Sequence, residues 1–414
     1  MIALLCERFG IDGDLREAAL DAYARTATFA YDAQRHVAAT VLSAFLEEGI
    51  VESDLAGSTG YGYDDPARAR YESLLARVLG TERALARLSI VSGTHAIVAA
   101  MAACTPPGRT LLSISGRPYD TLRNAICDAP EALVCHGVTY REVALGDDGG
   151  IDLPAVEEAL ERDPDATIFI QRSRGYAPRR SLFVAECERA IARVKEVAPH
   201  SVVLVDNCYG ELVEVREPSH VGADLIMGSL IKNLGGSLAP AGAYVAGRAE
   251  LVERVAARIY VPGLGSALGP TLGMGRALCQ GLFHAPLVVE QSLRGLDFTA
   301  ALFEGLGYWV DPLPGAPRTD IVQAIRLGSD EALRRFAAGL QTALPVNARF
   351  RPEPGAVPGY AEPVIMSSGA FVSGATIELS CDAPLRAPFE VYVQGGVSAA
   401  HAYLGALLAA RALA

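Results

Sequence analysis

From Arg83 onward the chain alternates between short apolar runs, rich in Val and Ile, and helical stretches. The runs fall at 87–91, 110–114, 139–145, 166–170, 202–206, 224–228 and 242–246, and the spacing predicts helices over 94–103, 120–127, 154–161 and 182–197. A continuous apolar run of this length suits a strand covered on both faces. Strands that alternate with helices build a mostly parallel sheet under helical layers. Ligands of such sheets bind beyond the carboxyl ends of the strands. The residues just after each run are therefore the functional candidates.

Outside this region the pattern changes. Apolar residues recur at three- and four-residue spacing over 14–50, with no Pro and no mid-segment Gly, which predicts one long helix. Gly57-Ser58-Thr59-Gly60-Tyr61-Gly62-Tyr63 is a loop, and Pro66 suits the first turn of the next helix. A long helix over 285–305 leads out of the alternating region. Beyond Asp311-Pro312-Leu313-Pro314 we expect a smaller α+β unit, with strands at 321–327, 364–366 and 375–380, helices at 330–343 and 397–413, and an ordered proline-rich loop over 350–363. At 414 residues the expected division is 1–65, an N-terminal helix and interface loop; 66–305, a large ligand-binding domain; and 306–414, a small C-terminal domain.

A net charge of −12, with no basic run, argues against a nucleic-acid partner. No apolar stretch is long enough to span a membrane, and the N-terminus lacks the apolar core of a signal peptide. Eight scattered cysteines without a CxxC pair indicate buried thiols rather than a metal or redox motif, so no metal site is expected and the cytoplasm is the expected compartment.

Two residues carry the chemistry. Asp206 closes the apolar run Val202-Val203-Leu204-Val205, and Lys232 follows 26 residues later in Gly228-Ser229-Leu230-Ile231-Lys232-Asn233-Leu234-Gly235-Gly236. Only Lys195 and Lys232 are lysines among 36 basic residues, so a lysine in a Gly/Ser loop is not ordinary surface decoration. Pyridoxal phosphate (PLP) needs this pair. The lysine forms a Schiff base, and the carboxylate pairs with the pyridinium nitrogen. Burial among apolar residues and glycines is expected to lower the lysine pKa. Ser92-Gly93-Thr94 sits between a predicted strand and a predicted helix, where free N–H groups and the helix dipole favour a phosphate. Ser229, three residues before Lys232, adds a hydroxyl. Tyr119, again between strand and helix, is placed to stack on a cofactor ring and to move a proton. Arg172, Arg174 and Arg386 are candidates for holding a substrate carboxylate.

Taken together, these strings resemble the aspartate-aminotransferase-like (fold type I) PLP enzymes of the Cys/Met metabolism group, and most of all the methionine γ-lyase-related, aluminium-resistance family. The matching segments are GSTGYGYDD (57–65), IVSGTHA (90–96), SISGRPYDT (113–121), QRSRGY (171–176), VDNCYGE (205–211), VGADLIMGSLIKN (221–233) and LSCDAPLRAPFEVYVQGG (379–396). The resemblance implies a homodimer or homotetramer with shared active sites, in which Tyr61 and Tyr63 reach a neighbour's cofactor phosphate. It also implies a small amino-acid substrate. The expected reaction is γ-elimination, either C–S cleavage of the methionine γ-lyase type or loss of halide from a γ-halogenated amino acid. An aminotransferase, a β-lyase or a γ-replacement enzyme would use the same residues. A nucleotide-binding regulatory α/β protein would leave Asp206 and Lys232 idle.

Overall fold

The computed structural model describes all of residues 1–414. Three helices open the chain: α1 (Ile2–Phe9), α2 (Gly13–Thr26) and α3 (Asp32–Glu48). The single helix expected over 14–50 is thus broken. No Gly or Pro breaks it; tertiary contacts do. The Tyr31 hydroxyl donates to Asp297 Oδ2 at 2.7 Å, and Phe29 packs against Gly315.

α4 (Pro66–Val78) leads into β1 (Arg83–Arg87). Next come α5 (Gly93–Cys104), β2 (Thr110–Ser113), α6 (Asp120–Arg123) and β3 (Thr139–Glu142). α7 (Leu153–Arg162), β4 (Thr167–Gln171), α8 (Val184–Val197), β5 (Val203–Asp206), β6 (Leu225–Ser229) and β7 (Ala243–Gly247) complete the sheet region. α9 (Ala249–Ile259), which the sequence reading missed, follows directly. The seven strands lie in the order β1-β7-β6-β5-β4-β2-β3. β2 to β6 run parallel to one another, while β7 is antiparallel to both β6 and β1. The first strand differs from the expected 87–91. Leu88–Val91 is a turn with Val91 74% exposed, whereas Arg83–Arg87 pairs with β7. Arg87 tolerates this place because its buried guanidinium donates to the carbonyls of Leu268 and Ser266 and is paired with Glu72.

Alternation along the strands divides the interior into two cores. Phe169, Leu204, Leu225 and Met227 point toward α5 and α9, while Ile168, Ile170, Val203, Val205 and Ile226 point toward α7 and α8. α10 (Gly275–Gly305) runs from this region to the second sheet and packs on α2 and α3. That sheet is formed by β8 (Trp309–Asp311), β9 (Val322–Arg326), β10 (Val364–Ser368), β11 (Ser380–Pro384) and β12 (Glu390–Gln394), all antiparallel, in the order β10-β11-β12-β9-β8. α11 (Asp330–Gln341) and α12 (Ala399–Leu413) pack together beside it. The strand expected at 375–380 lies at β11 instead, and β8 and β12 were missed. Ser380-Cys381-Asp382 has low strand propensity but pairs on both sides and is buried. No helix is long and apolar enough to cross a membrane.

Candidate active site

The carboxyl ends of β4, β5 and β6 lie in register: Gln171 pairs with Asp206, and Asp206 with Met227. Above them opens a cavity of ≈410 Å³. Ser92, Gly93, Thr94, Tyr119, Asp206, Ser229 and Lys232, all singled out from sequence, line it.

One end of the cavity is the start of α5. Ser92 caps the helix, its Oγ accepting from His95 N at 3.1 Å. A Cβ on Gly93 would stand 3.0 Å from Cys208 Sγ and 3.6 Å from Ser229. Glycine therefore lets the helix start approach β5 and β6, leaving N–H groups and hydroxyls free at this end of the cavity. The Thr94 and Tyr119 hydroxyls are hydrogen-bonded at 2.6 Å, and Tyr119 N donates to Gln171 Oε1 at 2.9 Å. Burial raises the Tyr119 pKa well above that of a free phenol, with the Asp206 carboxylate adding to it, so the group stays protonated.

Asp206 is buried at the floor, and its Oδ1 accepts from Cys208 N at 3.0 Å. Burial raises its pKa, against the Cys208 hydrogen bonds and the Lys232 charge. Lys232 enters from the β6 loop, with Nζ 3.7 Å from the centre of the Tyr209 ring. Burial alone would lower the Lys232 pKa, as expected. Tyr209, Cys208 and Asp206 outweigh it, and the net shift is upward. The expectation of a depressed lysine pKa is corrected on that ground: three acidic groups face one ammonium. A buried carboxylate, an amine and a helix start around one cavity fit the pyridine nitrogen, the aldehyde and the phosphate of PLP.

The other candidates lie elsewhere. Arg172 is sealed beneath the sheet edge at 1% exposure. Its guanidinium donates to Asn207 Oδ1 (2.6 Å), Glu214 Oε1 (2.6 Å) and Thr319 Oγ1 (2.8 Å) and lines neither cavity, so the expected substrate role is corrected. Arg174 lines the cavity next to the first, but its guanidinium is held by the Asp311 carboxylate and the carbonyls of Asp311 and Arg179. Arg386 lines a neighbouring cavity that shares Tyr119, Tyr176 and Tyr360 with the first. It donates to Asp120 Oδ2 at 3.0 Å and to the Tyr176 carbonyl at 3.1 Å, and remains part-exposed. Tyr61 and Tyr63 are exposed, 6.0 Å apart, and line neither cavity.

Several cavity residues were missed. Tyr209 and Gln171 lie within the matching segments but carry no distinguishing mark. Tyr360 comes from the proline-rich loop, which Thr121 pins by donating to the Pro358 carbonyl at 2.7 Å. Behind the cavity wall, Asp382 on β11 accepts from Gln394 Nε2 at 2.7 Å, and burial pushes its pKa up to about 6. No group of three or more His, Cys, Asp or Glu side chains is arranged to hold a metal.

The family model for methionine gamma-lyase matches residues 14–414. The chain belongs to that family. Among relatives of this family member, the Bacillus subtilis protein YnbB is 44% identical over 365 residues, covering 87% of this chain and 86% of YnbB. A Clostridium acetobutylicum structure, described as a candidate cystathionine beta-lyase involved in aluminium resistance, superposes with a TM-score of 0.94 at 41% identity, covering 99% of this chain and 97% of the other. A carbon–sulfur lyase involved in aluminium resistance from Clostridium novyi NT gives 0.93 at 38% identity, with 99% and 98% covered. The fold is the PLP fold type I arrangement, as the sequence resemblance implied.

Proposed function

We propose that this protein is a lyase that removes a substituent from Cγ of an amino acid, most simply a thiol from a methionine- or cystathionine-like side chain. More broadly, it is an enzyme of the PLP-dependent carbon–sulfur lyase family. The observation that carries the reading is the meeting of Asp206, Lys232 and the α5 N-terminus around one cavity. Bound PLP supplies an electron sink that stabilises negative charge at the substrate carbons.

The residues divide the work. Ser92, the N–H of Gly93, Thr94 and Ser229 hold the phosphate. Asp206 pairs with the pyridine nitrogen, and its burial makes that pair strong. Lys232 would hold the cofactor and then take the proton from Cα; a Cβ proton must also leave before the Cγ substituent can depart. Tyr119, a phenol kept protonated by burial, stacks on the ring and gives its proton to the departing group. The Thr94 hydroxyl fixes its orientation. Arg386, already partly exposed beside the shared tyrosine wall, holds the substrate carboxylate by exchanging Asp120 for it. Tyr61 and Tyr63 project from the surface and reach the cofactor phosphate of a neighbouring subunit in a homodimer or tetramer.

A panel of amino acids with Cβ or Cγ leaving groups, with products identified by mass spectrometry, tests this. Elimination from Cγ releases the substituent and leaves a 2-oxo acid or an unsaturated amino acid. Release only from Cβ would make the protein a β-lyase. Transfer of the amino group with the side chain retained would make it an aminotransferase. Incorporation of an added thiol would show γ-replacement.

A further inference from the structure

Tyr209 occupies a strained place for a reason the roles above do not use. Its φ is +71°, in the left-handed region that a bulky residue enters only when its surroundings hold it there. Two elements do so. Asn233, next to Lys232, donates through Nδ2 to the Tyr209 carbonyl at 2.9 Å, and Ile321 N donates to the same oxygen at 3.2 Å. The consequence is that the Tyr209 ring lines the cavity with its face 3.7 Å from Lys232 Nζ. An aromatic face at this distance from a desolvated ammonium attracts it through the ring quadrupole.

We propose that Tyr209 is a catalytic residue whose ring face holds the ammonium that Lys232 becomes on taking a proton from the substrate. This rests on Lys232 being the acting amine. In the step itself the Nζ lone pair forms an N–H bond, the C–H bond breaks and its electron pair stays with the substrate. The proton later leaves Nζ for a substrate carbon, restoring the neutral amine. Without a held cation, Nζ would swing toward the acidic groups around it. Those groups are Asp206 and Cys208 on the β5 loop, Glu211 behind it and Asp382 on β11. The ring keeps the charge over the cavity between the two transfers.

With only two lysines in the chain, the test is clean. The cofactor-free full chain is acylated with acetic anhydride across a pH series, and Lys232 is read by mass spectrometry. Lys195, bound to Asp224 and the Ser201 carbonyl, is the internal reference. Position 209 is varied as Tyr209→Phe, then with mono-, di- and trifluorinated phenylalanine, which keep the shape and weaken the quadrupole, and finally as Tyr209→Leu. Acylation of Lys232 at fixed pH should rise stepwise with fluorination and reach about 10- to 30-fold in the leucine variant. Tyr209→Phe should stay within about threefold of the parent, since the face is kept. In the holoenzyme, kcat should fall in the same order while KM holds. A flat series overturns the inference, and so does a phenylalanine variant as reactive as the leucine one, because the hydroxyl would then be the active part. The isosteric fluorinated series keeps the test decisive if the leucine variant does not fold. The two readings fail separately: a Lys232→Ala protein that retains cofactor absorbance removes the lysine assignment, whereas a flat series with Lys232 essential removes only the role of Tyr209.

Discussion

Replacing Arg172 with methionine separates a structural arginine from a substrate-binding one. The guanidinium is 1% exposed and faces Glu214 at 2.6 Å and Glu217 at 3.8 Å, while also donating to Asn207 and Thr319. Methionine fills much of the volume but leaves the buried Glu217, whose pKa burial already raises against the pull of Arg172, without its cation. Removing one partner of a buried pair typically costs about 3–5 kcal/mol. At about 2.1 cal/mol/K per residue, a 414-residue chain unfolds with an entropy near ~0.9 kcal/mol/K, so Tm should drop by about 3–6 °C. Scanning calorimetry of the variant and parent at one pH measures this. The KM for any accepted substrate should be unaltered in the folded fraction. A Tm within about 1 °C of the parent, together with a raised KM, would refute the reasoning and return Arg172 to the substrate.

Lys232→Ala should abolish the visible absorbance near ~420 nm of the cofactor-loaded protein; a retained band would place the attachment elsewhere. Gly93→Ala puts a methyl 3.0 Å from Cys208 Sγ and should weaken PLP binding about tenfold in a fluorescence titration; an unchanged Kd counts against the phosphate cradle. Glu211 is wholly buried, its Oε2 has no partner, and burial raises its pKa to about 8. Its folded pKa lies above the unfolded one, so the folded state binds the extra proton, and stability should decline from about pH 4.5 to pH 8 and then level off. Glu211→Gln should flatten that decline, by an amount on the order of a few kcal/mol; equal slopes in urea titrations of the two proteins would rule the assignment out.

Much of the site was legible because strand ends are legible. Asp206 and Ser229 close apolar runs, and Ser92-Gly93-Thr94 opens a helix, so period and position alone placed them on one edge. Arg172 was misread because the sequence does not show which acids a guanidinium will meet. It follows a strand, yet it turns inward to Glu214, while Arg174, at the wall of the neighbouring cavity, is held by Asp311. Tyr360 could not be found from sequence, since it reaches the site from the second sheet region, more than a hundred residues after Lys232.

The sequence by itself determined the parallel sheet, its ligand-bearing edge and the lysine–carboxylate pair, because these follow from local periodicity and residue chemistry. The tertiary structure alone decided where the N-terminal helix breaks, that Arg83–Arg87 rather than the more apolar run after it forms the first strand, and that Lys232 keeps a raised rather than a lowered pKa. Each of these depends on groups distant in the chain. Asp297 holds Tyr31, β7 offers a register to β1, and Tyr209, Cys208 and Asp206 surround one amine whose charge no local rule assigns.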